Sequence, residues 1–194
     1  MQQWHRWAFI LAIMSPLFFQ FGCYSVYSNQ PIGLKPLEAV PEQWEGTWGF
    51  PGEKGTVQIK VSDQAQGALT LLWLDEQGNV SNTNNILLMS AGDWTLGNIV
   101  HQDKDGSRYQ CVRIQASDDQ IICWLLDSKK IAALVQSNRL SGTVDTPNDD
   151  VFLTDINPTS VAAIASEQMG VLFKWDEPMV FVRVGPAVKT QPSD

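Results

Sequence analysis

The chain has 194 residues, a length that fits one ordinary domain with a short export segment rather than two sizeable domains. Apolar residues make up 44% and charged residues 18%, which is typical of a globular protein and excludes a disordered one. The formal net charge is -8 and no cluster of Lys or Arg occurs. Because binding to phosphates needs concentrated positive charge, this composition excludes nucleic acid as an expected partner.

The N-terminal segment is typical of an export signal. An apolar run from Ala8 to Phe21 has a length that suits a secretory signal and is short for a bilayer-spanning helix. Gly22 and Cys23 follow it directly. A small residue before a cysteine at this place resembles the lipobox of bacterial lipoproteins, with Gln20 where that motif usually has leucine. The resemblance implies that residues 1-22 are a removed signal peptide and that Cys23 is lipidated.

Two other interpretations of this segment stay open. The apolar stretch can be extended through Tyr27 as an uncleaved anchor, and Cys23-Tyr24-Ser25 can be the cleavage site of ordinary secretion. All three interpretations place the body of the protein outside the cytoplasm. Because Tyr24 rather than Asp follows the cysteine, the lipoprotein resemblance further implies the outer membrane. The expected location is the cell envelope, lipid-anchored and facing the periplasm.

Residues 23-41 contain three prolines and no sustained periodicity. Each proline fixes its own φ and biases the preceding residue away from helix, so this stretch predicts a semi-extended tether. The predicted organisation is therefore a signal peptide, the tether, a single β-rich domain over 42-185, and a polar tail over 186-194.

The body of the chain predicts antiparallel β-structure. Turn-forming residues recur at short intervals between apolar, β-branched runs, and this close spacing predicts hairpins rather than βαβ units. We expect a mainly β (α+β) fold, a meander that forms a sheet or a partly closed barrel. The predicted strands are 45-50, 55-61, 67-74, 84-90, 94-101, 107-115, 120-126, 140-145, 149-154 and 179-184.

Two short helices are predicted in the C-terminal half. Asp127 or Ser128 can cap the first one, which has an apolar stripe along one face. Asn157 followed by Pro158 is an N-terminal signature for the second, and Gly170 stands where a helix stop belongs.

Two cysteines flank a predicted turn. Cys111 and Cys123 lie at equal distances from Ser117, so a hairpin with an odd-numbered loop would place them opposite each other. In an oxidising compartment this arrangement favours a structural disulfide, which the lipidation of Cys23 would leave as the only pairing. The alternative is that a shift of one residue sends the two cysteines to opposite faces, where both become buried hydrophobes.

The sequence offers little for catalysis. His101 is the only histidine after residue 22, and the nearby Asp103 and Asp105 lack the glutamate that completes a calcium loop, so no metal is predicted. No motif of a serine hydrolase, a zinc protease or a phosphate-binding loop occurs. No catalytic residue and no cofactor is predicted, and a periplasmic hydrolase that uses His101 is the alternative function.

Tryptophan is frequent in the body of the chain. Large aromatic side chains at strand positions usually belong to the core, and a smaller share of them lines apolar or glycan pockets. Six tryptophans follow residue 22, namely Trp44, Trp48, Trp73, Trp94, Trp124 and Trp175.

One motif resembles a known barrel family. Gly46-Thr47-Trp48 resembles the Gly-x-Trp motif on the first strand of the lipocalins, which are barrels that bind apolar ligands. In that family the tryptophan packs against an arginine of the last strand, and Arg183 stands in a matching place. The resemblance implies that Trp48 and Arg183 stack and close one end of a barrel.

Together these features predict a membrane-anchored envelope lipoprotein with a non-enzymatic β-rich domain. Its partners would be the membrane, through the lipid, and either an apolar small molecule or an envelope protein. A carrier needs a roomy cavity lined by residues such as Trp73 and Leu125, whereas an interaction module needs a filled interior and an exposed surface.

Overall fold

The computed structural model describes residues 25–104, 106–145, 150–166 and 171–185. The predicted signal peptide, Cys23 and the predicted polar tail lie outside these residues, as do Asp105 and Gly170.

The described residues form twelve strands and three helices, which confirms the expected mainly β, antiparallel fold. The helices are α1 (Pro41–Trp44), α2 (Ser128–Gln136) and α3 (Pro158–Ile164). The strands are β1 (Val26–Ser28), β2 (Lys35–Pro36), β3 (Gly46–Gly49), β4 (Thr56–Asp63), β5 (Ala68–Leu74), β6 (Val80–Ala91), β7 (Trp94–Asp103), β8 (Gly106–Ala116), β9 (Gln120–Leu125), β10 (Gly142–Asp145), β11 (Asp150–Leu153) and β12 (Met179–Gly185).

Eight of the strands close into an antiparallel barrel. From β3 to β9 each strand pairs with the next one along the chain, as the short turns predict. The last strand, β12, pairs with β9 on one side and with β3 on the other. The barrel therefore has no free edge between its first and last strands.

A small side sheet continues from one wall of the barrel. Strand β8 is longer than β9, so that Val112–Ala116 pairs with β9 while Tyr109 and Gln110 pair with β1. Strand β1 also pairs in parallel with β11, which pairs with β10.

The protein has two hydrophobic cores, one on each face of the long strands β7 and β8. The first, which we call the barrel core, includes Trp48, Val57, Leu69 and Leu88. The second, which we call the side core, lies between the side sheet and the helices; its members include Val26, Leu96, Val151, Ile131 of α2 and Ile164 of α3.

Both predicted helices are present. The Asp127 side chain accepts a hydrogen bond at the start of α2, and Asn157 does the same at the start of α3. Helix α3 ends at Ile164, earlier than the stop predicted at Gly170. Helix α1 was not predicted, because a single turn gives no periodic pattern. Within the described residues, helices α1, α2 and α3 all fall short of a membrane-spanning segment.

The predicted tether is wrong for the described part of that segment. Strands β1 and β2 lie within it, and Val26, Ile32 and Ala39 are buried. The prolines do favour extended backbone, but that backbone hydrogen-bonds to β6, β8 and β11 instead of lying in solvent. The same strand pairing of Tyr27 is also incompatible with an anchor helix extended through that residue.

Candidate functional site

The predicted pair of Trp48 and Arg183 closes one end of the barrel. Arg183 on β12 stands opposite Trp48 on β3, with its Cζ 4.2 Å from the centroid of the indole ring. Trp48 is fully buried, and its Nε1 donates to the backbone oxygen of Trp44 at 3.1 Å. The stacking arrangement that the resemblance implied is therefore present in the structure.

Arg183 also holds α1 over this end. Its guanidinium donates to the backbone oxygens of Glu45 and of Gln43, the latter at 2.8 Å, and its Nε donates to that of Asp118 at 2.6 Å. The last carbonyls of a helix lack partners within the helix, so the guanidinium caps α1 from outside. Gly46 has a φ of 150°, and a Cβ there would lie 2.6 Å from Nη1 of Arg183. The glycine of the motif thus makes room for the arginine.

The described part of the barrel interior is filled by side chains. The buried residues of the barrel core come from every barrel strand except β7. On β7 the inward position is Gly97, where a Cβ would lie only 2.5 Å from Cδ1 of Ile114 and 3.2 Å from Cγ2 of Val112. The interior is so closely packed at this level that even one methyl group would require a shift.

Aromatic rings fill the opposite end of the barrel. Phe50 lies 4.3 Å from Phe181 and 6.0 Å from Trp73, centroid to centroid. The Trp73 Nε1 donates to Asn84 at 2.7 Å, and Leu125 packs against the barrel core. The two residues that would line a carrier's cavity are therefore engaged by neighbouring side chains.

The predicted disulfide between Cys111 and Cys123 is wrong in the structure, where both thiols are free and buried. The β8–β9 hairpin turns between Asp118 and Asp119, so Cys123 stands opposite Ile114 and not opposite Cys111. Cys111 consequently belongs to the side core and Cys123 to the barrel core. Burial raises the pKa of both thiols, which keeps them protonated and unreactive.

An arginine surrounded by tryptophans lies on the outside of the barrel wall. Cζ of Arg113 is 4.0 Å from the ring centroid of Trp94, 4.4 Å from that of Trp175 and 5.6 Å from that of Trp124. Phe173 completes the cluster at 5.8 Å from Trp94. No spacing in the sequence connects these tryptophans; the local signal is Arg113 between the apolar residues Val112 and Ile114 of β8.

An open cleft of about 370 Å³ lies beside this cluster. It separates the segment around α1 from the ends of β7 and β8 at the barrel rim. Its walls combine two indoles with amide, hydroxyl, carboxylate and guanidinium groups; the residues are Leu37, Gln43, Trp44, Asp93, Trp94, Thr95, Arg113, Ile114, Gln115 and Ala116. We call it the rim cleft.

His101 lies away from both features, near the far end of β7. Its ring is 5.7 Å from that of Tyr27, over which the guanidinium of Arg108 stacks at 4.3 Å. Burial and the nearby Arg108 hold the pKa of His101 below its ordinary value. Ser107, a neighbouring hydroxyl on β8, bonds to Gln102 and stands on the other face of the hairpin. A serine at this place is therefore not paired with the histidine.

Metal-ligating residues do not converge in the described part of the chain, where no group of three or more His, Cys, Asp or Glu side chains is placed to hold an ion.

Comparison of the chain with protein-family models found no match. Comparisons with curated proteins and with solved structures found no significant match either. The fold and its surfaces are therefore the basis for assigning a function.

Proposed function

We propose that this chain is a non-enzymatic envelope lipoprotein, held at the membrane by lipid on Cys23, whose barrel is a scaffold for binding an envelope protein. The observation that carries the choice is the filled barrel core. A carrier in this class encloses a cavity of several hundred Å³, on the order of 300 Å³ or more. To make that space here, buried residues such as Leu69 and Leu88 would have to leave the interior.

The likeness to lipocalins supports the architecture rather than the transport of an apolar molecule. The order of the barrel strands, with the last one returning to the first, is that of an up-and-down barrel, the class to which lipocalins belong. The stacked pair of Trp48 and Arg183 adds to this likeness. A closed barrel with a packed interior offers its outer surface, rather than an internal cavity, for binding.

The position of Ser25 limits how far the domain can stand from the membrane. Its backbone oxygen accepts from Val151, and its backbone N–H donates to the Asp150 side chain at 2.9 Å. One residue, Tyr24, lies between Ser25 and Cys23, and the two Cα–Cα steps of this link span at most about 7 Å. If Cys23 carries the lipid, the side sheet at Ser25 therefore lies close to the membrane surface.

Intact-mass spectrometry tests the lipid anchor. The protein extracted from membranes should have a mass that lacks residues 1-22 and carries acyl chains, and a Cys23→Ser variant should lose those chains. A full-length mass would contradict the lipid anchor.

Native mass spectrometry of the same preparation tests the filled barrel. We expect no co-purified mass of lipid size beyond the covalent acyl chains. A stoichiometric apolar molecule that survives purification would support the carrier instead.

A further inference from the structure

We propose that the rim cleft is a binding site for a neutral saccharide. The cleft lies outside the filled barrel core, so this proposal goes beyond the protein-binding role and does not depend on the lipid anchor. Its volume, about 370 Å³, lies near the lower end of the range of small-molecule sites, about 300–1,000 Å³.

The indole of Trp94 supplies a fixed apolar wall. Arg113 lies 4.0 Å from its centroid, and the rings of Phe173 and Trp175 lie 5.8 Å and 6.3 Å away. Because these neighbours already restrain the ring, a ligand that packs on it does not have to order it. The C–H face of a sugar ring is apolar enough to pack against such an indole.

The polar groups of the cleft favour a ligand rich in hydroxyls over an apolar one. The amides of Gln43 and Gln115 and the hydroxyl of Thr95 both donate and accept hydrogen bonds, as sugar hydroxyls do. An apolar ligand would leave these groups without partners, at a cost in affinity.

Charge argues for a neutral ligand. One carboxylate, Asp93, and one guanidinium, Arg113, line the cleft, so neither sign dominates. Carboxylate and guanidinium groups are also good partners for pairs of neighbouring hydroxyls, since each offers two acceptors or several donors in one plane.

Trp44 forms the α1 side of the cleft. It lines the cleft, is 3% exposed, and its indole Nε1 has no hydrogen-bond partner in the described structure. Buried donors are normally satisfied, so this one is unusual. Because the atom is itself buried and Trp44 packs in the barrel core, a ligand hydroxyl in the cleft reaches it only after a shift of α1.

Saturation-transfer NMR and a titration of tryptophan fluorescence on the full mature chain test the proposal. The probes are three neutral oligosaccharides, namely maltotetraose, cellotetraose and the tetramer of N-acetylglucosamine. We expect at least one of them to bind with millimolar or better affinity and to change the indole emission.

Variants then locate the site. Asp93 and Gln115 are exposed, so Asp93→Ala and Gln115→Ala should leave the fold intact. Each should weaken binding about fivefold to tenfold by removing hydrogen bonds to the ligand. Gln77→Ala is the matched control, because Gln77 is an exposed glutamine in the turn between β5 and β6 at the other end of the barrel.

Two results would overturn the proposal: no binding of any of the three saccharides up to their solubility, or binding that neither rim variant weakens. Either result would leave the protein-binding role untouched, since that role rests on the barrel core.

Discussion

Arg183 joins parts of the barrel rim that are far apart in the sequence. Its guanidinium contacts the ring of Trp48 and donates to backbone oxygens of α1 and of Asp118 in the β8–β9 turn. Lysine can replace the charge but not this geometry, because an ammonium has no planar fork of donors.

We therefore expect Arg183→Lys to lower the free energy of unfolding by about 2–3 kcal/mol, from lost charged hydrogen bonds and lost stacking. Urea denaturation followed by fluorescence measures the change. The control is Arg139→Lys, because Arg139 is exposed after the end of α2 and should change stability by less than about 0.5 kcal/mol. Equal effects of the two substitutions would show that the rim contacts contribute nothing.

His101 should give the stability a measurable pH dependence. Burial and Arg108 lower its pKa in the folded protein, while Gln110 and Asp103 partly oppose this shift. The unfolded chain takes up a proton as the pH falls below the ordinary value of 6.5, and the folded chain resists it. The contribution of neutral His101 to the free energy of unfolding is thus complete above pH 6.5 and is lost as the pH falls toward its folded pKa.

A His101→Gln variant lacks this contribution. As the pH falls, the unfolding free energy of the wild type should therefore decrease relative to that of the variant. Urea denaturation of both proteins, above and below 6.5, measures this shift. A constant difference across the range would show that His101 titrates normally. The comparison cancels the carboxylates that both proteins share.

At the scale of elements, the segment over 25-41 depends on one buried side chain. Asn98 on β7 accepts from the backbone N–H of Ile32 at 2.7 Å and donates to its backbone oxygen at 3.1 Å. Both residues are almost fully buried, so water could not replace these hydrogen bonds if they were removed. The amide of Asn98 fixes the loop between β1 and β2 against the barrel wall.

Asn98→Ala should cost about 2–4 kcal/mol, because it leaves two buried backbone groups of Ile32 unpaired. Amide exchange of residues 26-36 should accelerate more than that of β4. Asn85→Ala is the matched control on the exposed face of β6 and should leave this exchange unchanged. If the 26-36 amides exchange no faster in Asn98→Ala, the segment is held by its strand pairing alone.

The sequence predicted the elements whose signals are local. Strands β4 to β9 alternate with turn residues, and α2 and α3 carry capping residues at Asp127 and Asn157. Strand β1 has no such signal, because it is three residues long and its partner Val151 lies far along the chain. Its place is set by burial in the side core, which a local pattern does not reveal.

The same limit applies to the candidate sites. The register of the β8–β9 hairpin determines that Cys111 and Cys123 face different cores. The sequence does not specify this register, because a Ser-Asp-Asp turn is compatible with more than one loop length. The rim cleft joins Trp44, Trp94 and Gln115, which no spacing rule connects. The pair of Trp48 and Arg183 was predictable only through its resemblance to a known motif.

At the scale of the whole molecule, the two cores share a wall. On β8, Cys111 faces the side core while its neighbour Val112 faces the barrel core. On β7, Leu96 faces the side core and Ile99 packs against the barrel core. Loss of either core would expose one face of these strands, so each core stabilises the other.

We therefore expect the protein to unfold in a single cooperative transition. Val57 in the barrel core and Val151 in the side core are both fully buried, and the change to alanine removes the same atoms from each. Val57→Ala and Val151→Ala should each lower the free energy of unfolding by about 2 kcal/mol.

For each variant, circular dichroism and tryptophan fluorescence should report the same unfolding midpoint as each other, since β-structure and indoles occur on both sides of the shared wall. A transition that splits in Val151→Ala, with one phase kept at the wild-type midpoint, would show that the barrel folds without the side sheet. In that case β7 and β8 would remain folded with one apolar face exposed to water, which the burial of Leu96 and Cys111 argues against.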